Sequence, residues 1–166
     1  PTVPPDEPLP TWIGKYRIVA KLGRGGMGVV YRAEDPDLAR FVAIKKPLGD
    51  LDHGSERYDR FMREARLAAQ LDHANICRIY EVNKVNNVPY VVMALIEGKT
   101  LREFLQEDAA RKPEWVASIV CVLAEAMDYA HRKGVIHRDL KPSNVMIVSE
   151  GEVQKPVIMD FGLALR

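Results

Sequence analysis

Residues 137–144 read HRDLKPSN, and they bring a carboxylate, a lysine and an amide into one short stretch. A second short run, DFG, occupies residues 160–162, about one strand, a turn and another strand further on. A lone Asp or Asn in a loop is usually a turn former. Two complete runs in this order and at this spacing disfavour that interpretation.

A glycine-rich run lies near the start of the chain, where residues 23–30 read GRGGMGVV and fit GxGxxGxV. Such glycines can merely relieve strain in a hairpin, and they also occur in dinucleotide-binding folds. Their chemical use is to let backbone N–H groups approach phosphate oxygens that a Cβ atom would keep away. A dinucleotide fingerprint should open a helix. Here a β-branched run follows, which favours a phosphate-binding loop between two strands.

Residues 42–45 read VAIK, and their apolar approach predicts that Lys45 points inward while Lys46 stays in solvent. An inward lysine needs a carboxylate to hold it. We expect Glu64 to be that partner, because it lies one helical turn from residues on the apolar face of the next predicted helix. Glu56, near the start of that helix, is the surface alternative.

The coarse pattern predicts an α+β chain with a mostly β half before a mostly α half. Strands are expected at residues 16–22, 29–34, 41–45, 79–83 and 89–94, with a helix over 55–71. After Gly98, Thr100 and Glu103 form a capping box. A long helix follows over residues 113–133, with Gly134 at its C′ position. A proline-rich run over residues 1–10 indicates an extended tether.

Together these motifs resemble those of a eukaryotic-like serine/threonine protein kinase, over residues 16–164. The glycine-rich loop and Asp35-Pro36 are most similar to bacterial members. The resemblance implies a two-lobe kinase fold: an extended tether over 1–13, an N-lobe over 14–96 and a partial C-lobe over 97–166. No APE motif follows DFG, so we expect an incomplete domain with weak or no activity by itself. A non-catalytic nucleotide-binding or interaction module is the alternative.

By this resemblance, ATP is the phosphoryl donor, and Mg²⁺, or alternatively Mn²⁺, is held by Asn144 and Asp160. The catalytic residues implied are Asp139 as the acceptor of the substrate proton, Lys141 at the γ-phosphate, and Lys45 with Glu64. His137 is expected to pack under Phe161. Arg138 is typical of kinases regulated by phosphorylation. The nucleotide contacts implied are Leu22, Gly23, Gly25, Gly26, Gly28, Val30, Ala43, Lys45, Met93, Ala94, Ile96, Glu97 and Met146.

The balance of charged residues limits which classes of partner are expected. The chain has 24 basic and 23 acidic residues, which gives no electrostatic reason to expect nucleic acid or an anionic membrane. We expect a protein substrate bearing Ser or Thr, no membrane contact within this stretch, and a cytoplasmic location, with any membrane anchor lying elsewhere in the parent protein. Cys77 and Cys121 are expected to be core thiols. The helix over 113–133 has apolar residues on more than one side, so a partner could cover its exposed face.

Overall fold

A computed structural model describes residues 9–25, 28–48, 55–107, 112–151 and 153–161 of the chain. Within those residues an N-terminal antiparallel sheet contains the strands β1 Trp12–Ile13, β2 Tyr16–Gly25, β3 Gly28–Asp35, β4 Arg40–Lys46, β5 Ile79–Val85 and β6 Val88–Ala94. Their order across the sheet is β1-β2-β3-β4-β6-β5. The five predicted strands are confirmed. Trp12 and Ile13, which were expected to lie in the extended tether over 1–13, instead pair with β2, and residues 1–8 of that expected tether lie outside the described residues.

One helix, α1 Glu56–Ala68, packs on this sheet. Ser55 caps it by accepting a hydrogen bond from the Tyr58 backbone N–H at 3.2 Å. Glu56 and Asp59 lie in its first turn, where the positive end of the helix dipole favours carboxylates. Its buried residues are Tyr58, Phe61, Met62, Ala65 and Ala68. The helix ends three residues before its predicted end at residue 71.

The second half contains two helices and a small sheet among the described residues. Its elements are β7 Lys99–Thr100, α2 Leu101–Glu107, α3 Pro113–Arg132, β8 Val145–Glu150 and β9 Val153–Ile158. The predicted capping box is confirmed, because the Thr100 N–H donates to Glu103 at 2.8 Å and the Glu103 N–H donates back to Thr100 Oγ1 at 3.2 Å. Gly134 has φ +74°, as the predicted C′ position requires. Strand β7 attaches the first turn of α2 to the β8–β9 hairpin.

Helix α3 buries one face and exposes another, as its sequence predicts. Ile119, Ala126 and Ala130 are buried, whereas Val120 is 57% exposed. Cys121 lies on the exposed side, so the expectation of a core thiol there is wrong. Each residue advances a helix by about 100°, so Cys121, two residues after the buried Ile119, faces the other side of α3. In the described part of the chain, every helix is too short or too polar to cross a membrane.

The two halves are joined by backbone contacts beside β9. The Cys77 N–H donates to the Ile158 carbonyl at 2.8 Å, and the Ile158 N–H donates to the Asn75 carbonyl, also at 2.8 Å. The Asn75 side chain donates to the Pro156 carbonyl at 2.7 Å. The Asp72 N–H donates to the Tyr129 hydroxyl of α3 at 3.1 Å. These bonds fix the strand that precedes Asp160 against the N-terminal half.

Candidate active site

The glycine-rich run is the turn of the β2–β3 hairpin, where Gly25 lies opposite Gly28. Gly26 lies outside the described residues. Gly28 has φ +147°, and a Cβ atom there would lie 2.4 Å from the Lys46 carbonyl oxygen, so glycine is required for this close packing against β4. Gly23 and Gly25 have open space where a Cβ would be. Their backbone is therefore accessible from the cleft below.

Lys45 lies in β4, and its side chain is only 3% exposed. Its ammonium is 3.0 Å from a carboxylate oxygen of Asp160, whose side chain is 24% exposed. The inward orientation expected from the VAIK pattern is confirmed. The partner differs from the expected Glu64, because the sequence does not determine how far α1 lies from β4, and Asp160 supplies the nearer carboxylate.

Glu64 instead pairs with Arg138 of the catalytic loop at 2.5 Å. The Glu64 side chain is mostly buried, while that of Arg138 is half-exposed. Arg138 adopts the left-handed backbone conformation, with φ +65°, and Asp160 does so too, with φ +60°. Such conformations cost about 1–3 kcal/mol for residues other than glycine and concentrate at functional sites. The structure thus contains two ion pairs, Lys45–Asp160 and Glu64–Arg138, in place of the expected Lys45–Glu64 pair.

The loop after Arg138 gathers hydrogen bonds around Asp139. Lys141 Nζ donates to the Asp139 carboxylate at 2.7 Å, and the Asn144 side chain donates to the same oxygen at 3.1 Å. The hydrogen bond from Lys141, helped by that from Asn144, holds the pKa of Asp139 below its ordinary value. Asp139 is therefore ionised at neutral pH and can accept a proton.

Asn144 ends a short 3-10 turn, Pro142–Asn144, that leads into β8. The Met159 N–H donates to its carbonyl at 2.8 Å, which places Asn144 beside the strand that ends before Asp160. Because the Asn144 amide nitrogen donates to Asp139, its Oδ1 remains as the acceptor for a cation. Mg²⁺ is usually held by one or two protein oxygens plus substrate phosphates and water. An amide oxygen and a carboxylate fit that requirement.

His137 is buried and supports the loop. Its ring meets Phe161 edge-on, with 4.7 Å between centroids, which confirms the expected packing. Nε2–H donates to the Met159 carbonyl at 2.7 Å, and Nδ1 accepts from the Asp139 N–H at 3.3 Å. Both bonds suit a neutral imidazole, and burial lowers the pKa of His137. It therefore positions Asp139 and is unsuited to act as the base.

Under the sheet lies a cleft of about 560 Å³, within the range of small-ligand sites. Most of the residues expected around a nucleotide line it: Leu22, Gly23, Val30, Ala43, Met93, Ile96, Glu97 and Met146. Ala94 is absent from this lining. It borders a separate depression, and its carbonyl accepts a hydrogen bond from the Cys77 thiol at 3.5 Å. The alternation of strand β6 turns neighbouring residues to opposite sides.

The cleft continues into a second space of about 660 Å³ beneath the glycine hairpin. The predicted residues that line it are Gly23, Gly25, Gly28, Val30, Lys45, Asp139, Lys141, Asn144 and Asp160. Arg24, Arg102 and Ser143 line it as well, and the sequence reasoning did not select them. Arg102 could have been found from its place in the first turn after the Thr100 capping box.

Residues 16–166 match the protein kinase domain family. The chain belongs to this family. It is 41% identical over 155 residues to a probable serine/threonine-protein kinase of Streptomyces coelicolor, covering 91% of this chain and 23% of that protein. It is 38% identical over 151 residues to the serine/threonine-protein kinase PrkC of Bacillus subtilis, with 91% and 23% coverage. The chain thus spans less than a quarter of the length of these kinases.

Solved kinase structures show the same fold. A double mutant of the Mycobacterium tuberculosis PknI kinase domain superposes with a TM-score of 0.83 at 29% identity, covering 95% of this chain and 65% of that one. The apo form of PpkA-294 superposes with a TM-score of 0.75 at 28% identity, covering 93% and 61%. The sequence-based fold class, an antiparallel N-lobe sheet with one main helix followed by part of a helical C-lobe, is confirmed.

Proposed function

We propose that the protein containing this chain transfers the γ-phosphoryl group of ATP to a Ser or Thr hydroxyl of a protein. The observation that carries this proposal is the convergence of Lys45, Asp139, Lys141, Asn144 and Asp160 on one space beneath the glycine hairpin. Phosphoryl transfer requires positioning and charge neutralisation more than covalent help. A mostly apolar cleft leading into a charged, glycine-roofed end suits a nucleoside triphosphate.

In this reaction the substrate hydroxyl oxygen forms a bond to the γ-phosphorus, and the bond from that phosphorus to the β–γ bridging oxygen breaks to release ADP. Asp139 accepts the hydroxyl proton, since its carboxylate is ionised at neutral pH and is held in place by hydrogen bonds from Lys141 and Asn144. Lys141 offsets negative charge on the γ-phosphoryl group. Asn144 and Asp160 would hold Mg²⁺, or Mn²⁺ in its place, which when bound neutralises phosphate charge. Lys45 binds phosphate oxygens.

The two ion pairs of the structure must rearrange for this role. Asp160 cannot serve a cation fully while its carboxylate is 3.0 Å from Lys45. We propose that Asp160 would separate from Lys45 when nucleotide and metal are bound, and that Glu64 would leave Arg138 to hold Lys45. Lys45, Glu64 and Asp160 each keep a partner through the exchange. Arg138 loses its carboxylate, but its side chain is half-exposed, so no buried ion is left unpaired.

The remaining assignments belong to the same proposal. Residues 14–96 form the N-lobe and residues 97–166 the start of the C-lobe, with the nucleotide between them. Glu97 would approach the ribose, and the main chain of Ala94 and Ile96 would face adenine. The partner is a protein substrate rather than nucleic acid or membrane, and the site acts in the cytoplasm.

The test is phosphate transfer from γ-labelled ATP by the full-length protein, followed by phosphoamino acid analysis. Lys45→Met should lower the rate roughly 10²- to 10³-fold, because it removes a preorganised charge at the phosphates. Lys46→Met is the matched control, since Lys46 is the neighbouring lysine and lies outside the lining of the phosphate space. It should retain most of the activity. Equal effects of the two variants would refute the assigned role of Lys45.

A second candidate is a nucleotide-binding module without transferase activity. The Lys45–Asp160 ion pair favours this alternative, because Lys45 occupies the carboxylate that is expected to hold the metal. ATP binding by the full-length protein, without transfer to any Ser or Thr acceptor, would support this alternative and contradict the kinase proposal.

A further inference from the structure

The phosphate end of the cleft is bordered by more positive than negative side chains. Its cations are Arg24, Lys45, Arg102 and Lys141, and its carboxylates are Asp139 and Asp160. Lys45 pairs with Asp160 at 3.0 Å, and Lys141 pairs with Asp139 at 2.7 Å. Among the residues that the structure describes, those pairs leave Arg24 and Arg102 as the uncompensated charges at the rim, where both are exposed.

The backbone of Arg102 is fixed by the contacts of α2, and its side chain extends into solvent. It lies in the first turn of α2, which the Thr100–Glu103 capping box fixes. Strand β7 ties Thr100 to Met146 of β8, next to the nucleotide cleft. Phe104 is buried and stacks on Trp115 of α3 with 5.4 Å between ring centroids. The helix therefore presents Arg102 from a fixed position toward the space that Asp139 and Lys141 also line.

In the described part of the chain, the acidic residues that follow Arg102 in α2 are already engaged. Glu103 is bound by Thr100, and those hydrogen bonds lower its pKa, so it stays ionised and committed to the cap. Glu107 pairs with Lys99 at 2.7 Å. Among the described residues, Arg102 itself makes no ion pair. A cation that lines the same space as Asp139, and that has no carboxylate partner among the described residues, suits a negative charge on an incoming molecule.

We propose that Arg102, supported by Arg24, selects acidic protein segments, so that the preferred Ser or Thr is flanked by Asp, Glu or phosphorylated residues. The inference rests on the proposed kinase function and specifies its substrate class. Arg102 lines the space of the catalytic loop, which includes Asp139, and is absent from the lining of the adenine end of the cleft. That position favours contact with the protein substrate over contact with the nucleotide base.

The experiment measures kcat/KM of the full-length protein on matched peptides. Each peptide has one Ser or Thr, and Asp, Ala or Lys is placed at successive positions on either side. An exposed ion pair is worth about 0.2–1 kcal/mol, so one well-placed Asp should raise kcat/KM about 1.5- to 5-fold over Ala, and Lys should lower it. Arg102→Ala should bring the Asp-to-Ala ratio at that position close to one. Arg102→Glu should reverse the preference, and Arg102→Lys should retain part of it.

Arg66→Ala is the control, because Arg66 is an exposed arginine of α1 away from the cleft. It should leave both the peptide ratios and the rate unchanged. The inference is overturned if the wild-type protein shows no acidic preference, or if Arg102→Ala raises KM for MgATP while leaving the peptide ratios intact. If the wild-type protein phosphorylates no peptide at all while binding MgATP, the proposed function itself fails. That result is distinct from transfer without an acidic preference.

Discussion

Replacing Asp160 by Asn tests the ion pair that most separates this structure from the sequence-based expectation. Lys45 and Asp160 are 3.0 Å apart, and the Lys45 side chain is 3% exposed. At that distance the attraction is about 5 kcal/mol for an effective dielectric constant of ~20. Desolvation of the lysine offsets much of this gain, yet removing one partner leaves a buried ammonium without a counter-charge. Breaking a fully buried pair costs about 3–5 kcal/mol.

Two features reduce this cost for Asp160→Asn. The Asp160 side chain is 24% exposed, so water can approach, and the asparagine carbonyl can still accept from Lys45. We therefore expect a loss of about 2–3 kcal/mol in the free energy of unfolding, between the values for exposed and buried pairs. For a protein of this size that loss corresponds to a fall of about 5–10 °C in Tm. Thermal unfolding of the purified protein, followed by circular dichroism, measures it.

Asp139→Asn provides the matched control. The Lys141–Asp139 pair is more exposed, so its loss should cost only about 0.2–1 kcal/mol. MgATP at 100 times its Kd should add about 2.7 kcal/mol to the free energy of unfolding of the wild-type protein and so raise its Tm. The same MgATP concentration should stabilise Asp160→Asn much less. The reasoning is refuted if Asp160→Asn destabilises no more than Asp139→Asn.

Three further predictions concern the loops and thiols. Gly28→Ala should lower the free energy of unfolding in urea by about 1–3 kcal/mol, because Gly28 has a positive φ and an added Cβ would meet the Lys46 carbonyl. Gly23→Ala is the control and should cost far less, since there is open space where its Cβ would lie. Similar losses for the two variants would contradict the packing described. Lys141→Ala should raise the pKa of Asp139 toward its ordinary value of about 3.9 in a carboxyl NMR titration, because the Lys141 hydrogen bond is its main cause of depression. Since the folded pKa is lowered, this pair stabilises the fold above pH ~4 and its contribution is lost as pH falls through the lowered value; an unchanged titration would exclude the pair. A maleimide should label the native protein at exposed Cys121 and leave Cys77 unmodified, since burial raises the pKa of Cys77 to about 12, whereas rapid double labelling would place Cys77 in solvent.

Sequence was sufficient where a local pattern controls the outcome. The inward direction of Lys45 follows from strand alternation and an apolar approach. The start of α2 follows from the Thr100–Glu103 box, whose hydrogen bonds form within one turn. The packing of His137 under Phe161 is implied by the family resemblance and appears in the structure.

The sequence was insufficient where distant elements meet. The partner of Glu64 depends on the position of α1 over the catalytic loop, and only the folded chain brings Arg138 within 2.5 Å. Cys121 was misplaced for a similar reason, since a shift of one residue along a helix moves a side chain to another face. Arg102 was not selected from the sequence, because only the folded chain shows that the neighbouring carboxylates Glu103 and Glu107 are paired with other residues.

The most direct test of the central claim is transfer of γ-labelled phosphate to a Ser/Thr protein acceptor by the full-length protein and its Asp139→Asn variant. MgATP binding is measured alongside, so that loss of the base is separated from loss of the nucleotide. Proton acceptance by a positioned carboxylate contributes about 10²- to 10⁴-fold, so the variant should bind MgATP nearly as well and transfer slower by about that factor. Unchanged transfer by Asp139→Asn would contradict the assignment of Asp139, and with it the mechanism proposed for this site.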